Sequence, residues 1–479
     1  MNRHYPLMIP GSIPNGETIT VTAPYNDNPI ATLDAAGSDA VDLALATAHT
    51  LFRDRSGWLP AERRMAILKK TAELMSEQSE QLAVDAAREG GKPLVDSRVE
   101  VARAIDGVYN CIECIRTDVG REIPMGINSA STQRLAFTRK EPIGVVVAVS
   151  AFNHPLNLIV HQVGPAIATG CPVIIKPAND TPLSCYTFVS LLHQAGLPKE
   201  WCQALVTSSM EPATQLVTDS RVGFFSFIGS PTVGWMLRSK LAPGTRCALE
   251  HGGAAPVILE ADADLDDAIP LISKGGFYHA GQVCVSVQRV YCHKNIIREV
   301  AQRLINSALQ LVVGDPTDEK TEVGPLIRLQ ELTRVEQWVN EAVDAGANLL
   351  TGGKIEGNCY KPTVLLDPPD TVNVSCKEIF GPVICLYSYD DVNKALERAN
   401  ALPYAFQASV FTRNIDKALH VYNNIDASAV MINDHTAFRV DWMPFAGLRH
   451  SGLGVGGIPH TYHDMQIEKL MVIRSKALS

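Results

Sequence analysis

The residue with most chemistry to offer is Cys284, in the run Gly281-Gln-Val-Cys284, which follows a helix-like segment and precedes a strand-like one. A thiol on a loop between packed elements can face a cleft, where its thiolate attacks carbonyl carbon. Taken alone, such a cysteine is more often a small buried hydrophobe. Upstream, Leu249-Glu250-His-Gly-Gly253 ends a strand with a carboxylate beside two glycines, so the backbone can turn sharply and present Glu250 to a ligand. Cys111 and Cys114 form a lone close pair; with no second pair and no clustered histidine they read as one turn of helix, not a zinc site.

These residues need a scaffold, and the hydrophobic rhythm supplies one. Leu68, Ala72, Met75 and Leu82 recur near helical spacing from Pro60 to Arg88, with Gly90-Gly91 as a stop. A further helix runs through Ala102, Ile105, Tyr109 and Ile112. The rhythm then changes. Ile143 to Ser150 is a continuous β-branched run, as for a strand buried on both faces, and shorter runs follow at 173–176, 204–207 and 223–228. Helix-length segments at 155–169 and 182–195 separate them, which predicts parallel βαβ units. The alternation resumes after Glu250, with strands at 287–292, 383–387 and 408–411 among helices at 296–311, 332–345 and 391–401. A second α/β domain is implied. The polar stretch 120–140 and the strand-like Leu470-Met-Val-Ile473 fall outside both patterns; they read either as an intersubunit sheet or as surface loops.

Composition limits the functional classes. A chain of 479 residues, 46% hydrophobic and 19% charged, is an ordinary globular sequence of two or three domains. The net charge of −9 with no basic block argues against nucleic-acid binding. No apolar run is long enough for a signal peptide or a membrane span, and eleven scattered cysteines suit a reducing compartment, so a cytoplasmic protein is expected.

Several motifs together resemble those of the aldehyde dehydrogenase superfamily, over essentially the whole chain. Ser150-Ala-Phe-Asn153-His-Pro resembles the family's Pro-Trp-Asn-x-Pro segment, Lys176-Pro-Ala-Asn179 its Lys-Pro-Ala-Glu, and Phe227-Ile-Gly229-Ser230 its Phe-Thr-Gly-Ser. Glu378-Ile-Phe380-Gly-Pro-Val383 is the family motif unchanged, and the run from Pro444 to Gly452 resembles Pro-Phe-Gly-Gly-x-Lys-x-Ser-Gly. The resemblance implies an α/β fold of two Rossmann-like parallel-sheet domains: residues 1–119 and 141–249 binding the dinucleotide, 250–459 catalytic, and 120–140 with 460–479 a small β oligomerisation element. It further implies a homodimer or homotetramer that oxidises an aldehyde with NAD or NADP. Cys284 would carry the thioester, Asn153 and the Cys284 N–H the oxyanion, and Glu250 the activation of water. A CoA-acylating relative, in which a thiol removes the acyl group, is the alternative; the carboxylate at Glu250 speaks for water.

By the same resemblance Ser150 and Phe152 join the cofactor set, Lys176 binds the adenosine ribose, Gly229 and Ser230 the pyrophosphate, Glu378 the nicotinamide ribose, and Phe380 packs near the nicotinamide. Taken alone, Gly229 to Gly234 would read as glycines that let a helix lie close on a sheet. Asn179 replaces a glutamate whose charge repels a 2′-phosphate, so NADP is admissible. His251 replaces a usual leucine; it either tunes Glu250 or fills space. The segment Asn433 to Met443 lines the substrate entrance in the family, and its Arg-x-Asp-x-Met-Pro-Phe pattern resembles that of dehydrogenases for lactaldehyde and related short polar aldehydes. Arg103 or Arg439 is expected to hold a mono-anion, while a structural ion pair between Arg439 and Asp441 is the rival reading. Val283, where phosphate-binding relatives often carry arginine, argues against phosphorylated substrates.

Overall fold

The computed structural model describes residues 3–478. Two extended sheets dominate it. In the first, six strands lie in the order Gly452–Leu453, Arg246–Glu250, Val222–Ile228, Val145–Val149, Val173–Lys176, Cys202–Ala204, parallel except for the outermost Gly452–Leu453. Val145 to Ala148 are all buried, as a strand covered on both faces requires. From Val145–Val149 the chain builds outward on one side, then returns to lay Val222–Ile228 against the other edge of that strand. A reversal of this kind leaves a crevice at the carboxyl ends of the two strands where direction changes.

The second sheet has seven strands in the order Asn348–Thr351, Thr363–Leu366, Val383–Tyr389, Val287–His293, Ala255–Leu259, Gln407–Phe411, Ala429–Ile432, with only the Asn348–Thr351 edge antiparallel. Its amino ends face the crevice, so residues just ahead of Ala255, Val287 and Val383 meet those following Val149 and Ile228. The alternation read from the sequence is thus two α/β sheets.

The two pieces outside that rhythm pair with each other. Gln466–Arg474 runs antiparallel to Arg134–Pro142, from Gln466 opposite Pro142 to Arg474 opposite Arg134, and Glu122–Ile123 completes a three-stranded sheet. Gln466–Arg474 is its edge, with Leu470, Met471, Val472 and Ile473 exposed.

Some elements differ from expectation. The helix expected from Pro60 to Arg88 is two, Ala61–Glu77 and Ser79–Gly90, because Gln78 leaves helical geometry at φ −113°, ψ 16°. Gly91 then stops the second in the left-handed conformation at φ 71°, where a Cβ would meet Pro325 at 2.9 Å. The strand expected at 204–207 is Cys202–Ala204 instead; beyond it Val206 makes only an isolated bridge to Ala35. Three short strands near the amino terminus, Arg3–Tyr5, Thr18–Thr22 and Pro29–Asp34, form a sheet that the hydrophobic pattern does not announce. Cys111 and Cys114 do lie on one helix, Leu94–Thr117, both buried, and a Cβ on Gly164 would stand 2.8 Å from the Cys111 sulfur. Among the described residues no helix is long and apolar enough to cross a membrane.

Candidate active site

Between the two sheets lies a cavity of about 470 Å³. Its first wall is the loop from Ser150 to Asn153 and the helix Asn157–Thr169 that follows. That helix begins without a side-chain cap of its own; Glu100 serves instead, accepting from the Leu156 and Asn157 amides at 2.9 and 3.0 Å. Anions at a helix amino terminus are favoured by the exposed N–H groups and the dipole. Fully buried Lys92 pairs with Glu100, and losing either partner would strand a buried charge at about 3–5 kcal/mol. This buried tie fixes the turn that carries Asn153. The Asn153 amide donates to the Gln282 carbonyl at 2.9 Å, leaving its second N–H free to serve another acceptor.

Gln282 belongs to the opposite wall, the loop of Cys284. Three successive residues, His279, Ala280 and Gly281, are left-handed at φ 48°, 53° and 68°, costing about 1–2 kcal/mol for each residue that carries a Cβ. The helix Leu265–Phe277 is thereby turned abruptly into the nucleophile loop. Gln282 secures that loop: its amide donates to the Pro325 carbonyl at 3.2 Å and its carbonyl accepts from the Ile327 N–H at 2.9 Å. Val283 and Val285 pack with Phe406 and Phe445 and line the cavity on either side of Cys284, whose thiol is half-buried. Burial pushes its thiol up to about 12, against the pull of the Arg439 guanidinium and of its own backbone N–H.

Glu250 and Glu378 occupy room that only glycine leaves. A Cβ on Gly456 would collide with the Glu250 carboxylate, and one on Gly252 with that of Glu378. Burial raises the Glu250 carboxyl above the usual range, with Arg439 opposing. Glu378 accepts from the Gly253 N–H at 3.2 Å and is pushed up to about 8 by burial. Phe152 and Phe380, the latter itself left-handed at φ 50°, meet edge to face with centroids 5.8 Å apart.

The cofactor end fits a dinucleotide. Ser150 Oγ is buried on the cavity wall with no partner, an orphan that a bound hydroxyl or phosphate would satisfy. Gly229 and Ser230 lead into the helix Pro231–Arg238, whose first N–H groups suit an anion. Gly234 lets that helix lie against Phe227 and His251: a Cβ there would strike the His251 ring. That ring donates from Nδ1 to the Gly229 carbonyl at 2.9 Å and packs edge-on to Phe227 and Trp235, so it fills the space beneath the helix. Lys176 and Asn179 stand just outside the lining, which Ala178 between them reaches. Lys176 donates to the Asn179 carbonyl oxygen at 3.1 Å, and the Asn179 amide donates to the Thr207 carbonyl at 2.9 Å. Burial lowers the Lys176 ammonium to about 8.

At the far end the ion pair of Arg439 with Asp441 is not formed. The partner of Asp441 is Arg103, which grips it with Nε at 3.1 Å and Nη2 at 2.7 Å. Asp441 also accepts from Asn157 Nδ2 at 3.0 Å and from His161 Nε2 at 2.7 Å; against its burial, the His161 and Arg103 contacts hold its carboxyl far below the usual range. Arg439 lies over the Phe445 ring, Cζ 3.5 Å from its centroid, with Nη2 donating to His161 Nδ1 at 3.3 Å and Nε buried without a partner. Arg439 therefore confronts the cavity while Arg103 is largely committed.

The structure thus gathers Cys284, Glu250 and Asn153 around one cavity, with Ser150, Phe152, Gly229, Ser230, Glu378 and Phe380 along one side and Arg103 and Arg439 on the other. Sequence reading missed Gln282, Asn157 and His161. The last two carried one signal, polar side chains four apart on a mostly apolar helix that is wholly buried, a signal they share with Gln162 and Thr169.

Two facing α/β sheets with a cysteine and a carboxylate at their junction define the class, and comparison with known proteins agrees. The chain belongs to the aldehyde dehydrogenase family, whose sequence model matches residues 13–471. It is 38% identical to a 3-sulfolactaldehyde dehydrogenase of Priestia aryabhattai over 95% of both chains. It is 35% identical to a lactaldehyde dehydrogenase of Methanocaldococcus jannaschii, over 98% of this chain and all of that one. The crystal structure of aldehyde dehydrogenase 21 from Physcomitrella patens, in complex with the reaction product succinate, superposes with a TM-score of 0.95 at 34% identity, covering 99% of each chain.

Proposed function

We propose that this protein oxidises a small polar aldehyde, hydroxylated or bearing a single negative charge, to its carboxylic acid with NAD or NADP, through a thioester on Cys284 that water hydrolyses. The observation that carries this reading is the convergence of Cys284, Asn153 and Glu250 on a cavity whose other end holds Arg103 and Arg439. The Cys284 sulfur, once deprotonated, bonds to the aldehyde carbon, and the carbonyl oxygen takes the negative charge. The second N–H of Asn153 and the backbone N–H of Cys284 receive that oxygen, donors each worth about 2.7–4 kcal/mol in comparable sites. Ser150, Phe152, Lys176, Asn179, Gly229, Ser230, Glu378 and Phe380 would hold NAD or NADP, which would supply the hydride acceptor. When the C–H bond has given up its hydride, the C=O bond re-forms and a thioester remains on sulfur. Glu250 then takes a proton from water as the water oxygen attacks, and the Cys284 thiolate leaves.

The names of two relatives, lactaldehyde and 3-sulfolactaldehyde dehydrogenase, point to the same substrate class, a short hydroxyaldehyde, in one case with a sulfonate. Val283, packed on Phe445, offers no charge to a phosphate. The first sheet, from residues 1–119 and 141–249, is assigned to the cofactor and the second, from 250–459, to catalysis, with Gly452–Leu453 crossing back to the first. Segments 120–140 and 460–479 are assigned to oligomerisation as a homodimer or homotetramer, since their sheet ends on an exposed apolar edge. Free cysteines throughout the described residues accord with a cytoplasmic location.

The test is production of reduced cofactor from a panel of lactaldehyde, succinic semialdehyde, 3-sulfolactaldehyde, butyraldehyde and glyceraldehyde 3-phosphate, with each cofactor and without CoA. The expected outcome is CoA-independent turnover with the non-phosphorylated polar aldehydes preferred. A strict requirement for CoA would replace water by a thiol as acyl acceptor, and glyceraldehyde 3-phosphate as the best substrate would overturn the substrate class.

A further inference from the structure

The buried carboxylate of Asp441 is only 2% exposed, and its Oδ1 collects Arg103, Asn157 and His161 at once. Because a carboxylate only accepts and a guanidinium only donates, the hydrogen bonds of His161 admit one arrangement: Nε2 carries the proton toward Asp441, and the Nδ1 lone pair receives Arg439 Nη2. An imidazolium would turn a proton against Arg439 and add a like charge in a buried place; burial and Arg439 both hold His161 neutral, lowering it to about 4. Arg103 and Asp441 offset each other's charge, so the positive charge left facing the cavity is that of Arg439. Among the described residues Arg439 forms no ion pair; the carboxyl it feels most is Glu250.

We propose that His161 is a positioning residue for substrate specificity: held in one tautomer by Asp441, it aims the Arg439 guanidinium across the Phe445 ring into the cavity, where a positive charge held in no ion pair selects a singly charged aldehyde. The inference rests on the reading that the substrate end of the cavity binds an anion. It differs from a structural histidine in that its loss changes discrimination by charge. A glutamine at this position can keep the pattern, with its amide N–H toward Asp441 and its carbonyl oxygen toward Arg439, whereas leucine keeps bulk and neither bond.

The experiment compares wild type, His161→Leu and His161→Gln. Two ratios are measured: kcat/KM for succinic semialdehyde against butyraldehyde, and the rate of Cys284 alkylation by iodoacetate against iodoacetamide, which needs no turnover. In His161→Leu both ratios should fall about tenfold or more, the first through KM of the charged aldehyde, and His161→Gln should recover most of the loss. If wild type prefers the anions and His161→Leu keeps that preference, the positioning role is overturned while the anion reading stands. If wild type shows no preference for the anions, the anion reading itself fails and the inference falls with it. Should the leucine variant not fold, His161→Asn, polar but too short to span Asp441 and Arg439, replaces it and is read by the same two ratios: their fall upholds the proposal and their retention overturns it, as does a proton on Nδ1 in the 15N shifts of wild-type His161.

Discussion

The two ends of the cavity are built on opposite plans. At the cofactor end several groups stand at the tips of elements and answer to backbone: Glu378 to the Gly253 N–H, Asn179 to the Thr207 carbonyl, Gly229 and Ser230 to the helix they open. At the substrate end the charged side chains answer to one another over long stretches of chain, Arg103 to Asp441 at 338 residues and His161 to Asp441 at 280. The difference teaches where change is tolerated. A group fixed by the end of a strand can be exchanged with little effect on its neighbours, because the sheet sets its place. Charges that share one carboxylate are coupled, and altering any member is felt by all.

Three measurements sharpen or break this contrast. The largest effect is expected where the two ends meet. Glu250→Gln should give a stoichiometric burst of reduced cofactor as thioester forms, then steady turnover slowed by about 10²–10⁴, the usual worth of a general base. Cys284→Ala should give no burst. Burst and steady rate lost equally in rapid mixing would mean that Glu250 also acts in forming the thiolate.

A smaller effect tests whether the substrate-end charge reaches the nucleophile. The Cys284 thiol is pushed up to about 12 even with Arg439 favouring its anion. Removing that positive charge can only raise it further. At any pH below this range Arg439→Gln should therefore hold less thiolate, slowing alkylation by iodoacetamide about tenfold and moving its pH profile to higher pH. An unmoved profile would confine Arg439 to substrate binding and cut the link between the two ends.

The smallest effect belongs to the cofactor end. Asn179 carries no charge to repel a 2′-phosphate, so NADP and NAD should differ in kcat/KM by about tenfold at most, and Asn179→Glu should lose NADP while keeping NAD. A wild-type preference for NAD beyond about a thousandfold, roughly 4 kcal/mol, would show that another group rejects the phosphate.

Much of this molecule is local and therefore legible in the chain. The β-branched run before Ser150 and the strand-like run after Cys284 announce buried strands because burial on both faces selects those side chains directly. Residues next to such runs, Asn153, Glu250 and Cys284, inherit positions at sheet ends, where a crevice must open. The hydrophobic spacing predicts one helix to Arg88 where there are two, because the break at Gln78 is a change of dihedral angles with no glycine or proline to mark it.

What the sequence by itself determined, then, was the alternation of elements and the residues at their ends, since periodic burial and turn chemistry act over a few residues. Only the tertiary structure decided which charges meet. Arg439 and Asp441 are two apart and looked like natural partners, yet folding delivers Arg103 to Asp441 from a distant helix and leaves Arg439 over Phe445. His161 lies in the middle of a buried, mostly apolar helix, and nothing near it in the chain names Asp441 or Arg439 as its partners. A hydrogen bond needs its donor and acceptor within about 3 Å, and for partners hundreds of residues apart only the packed chain can meet that condition.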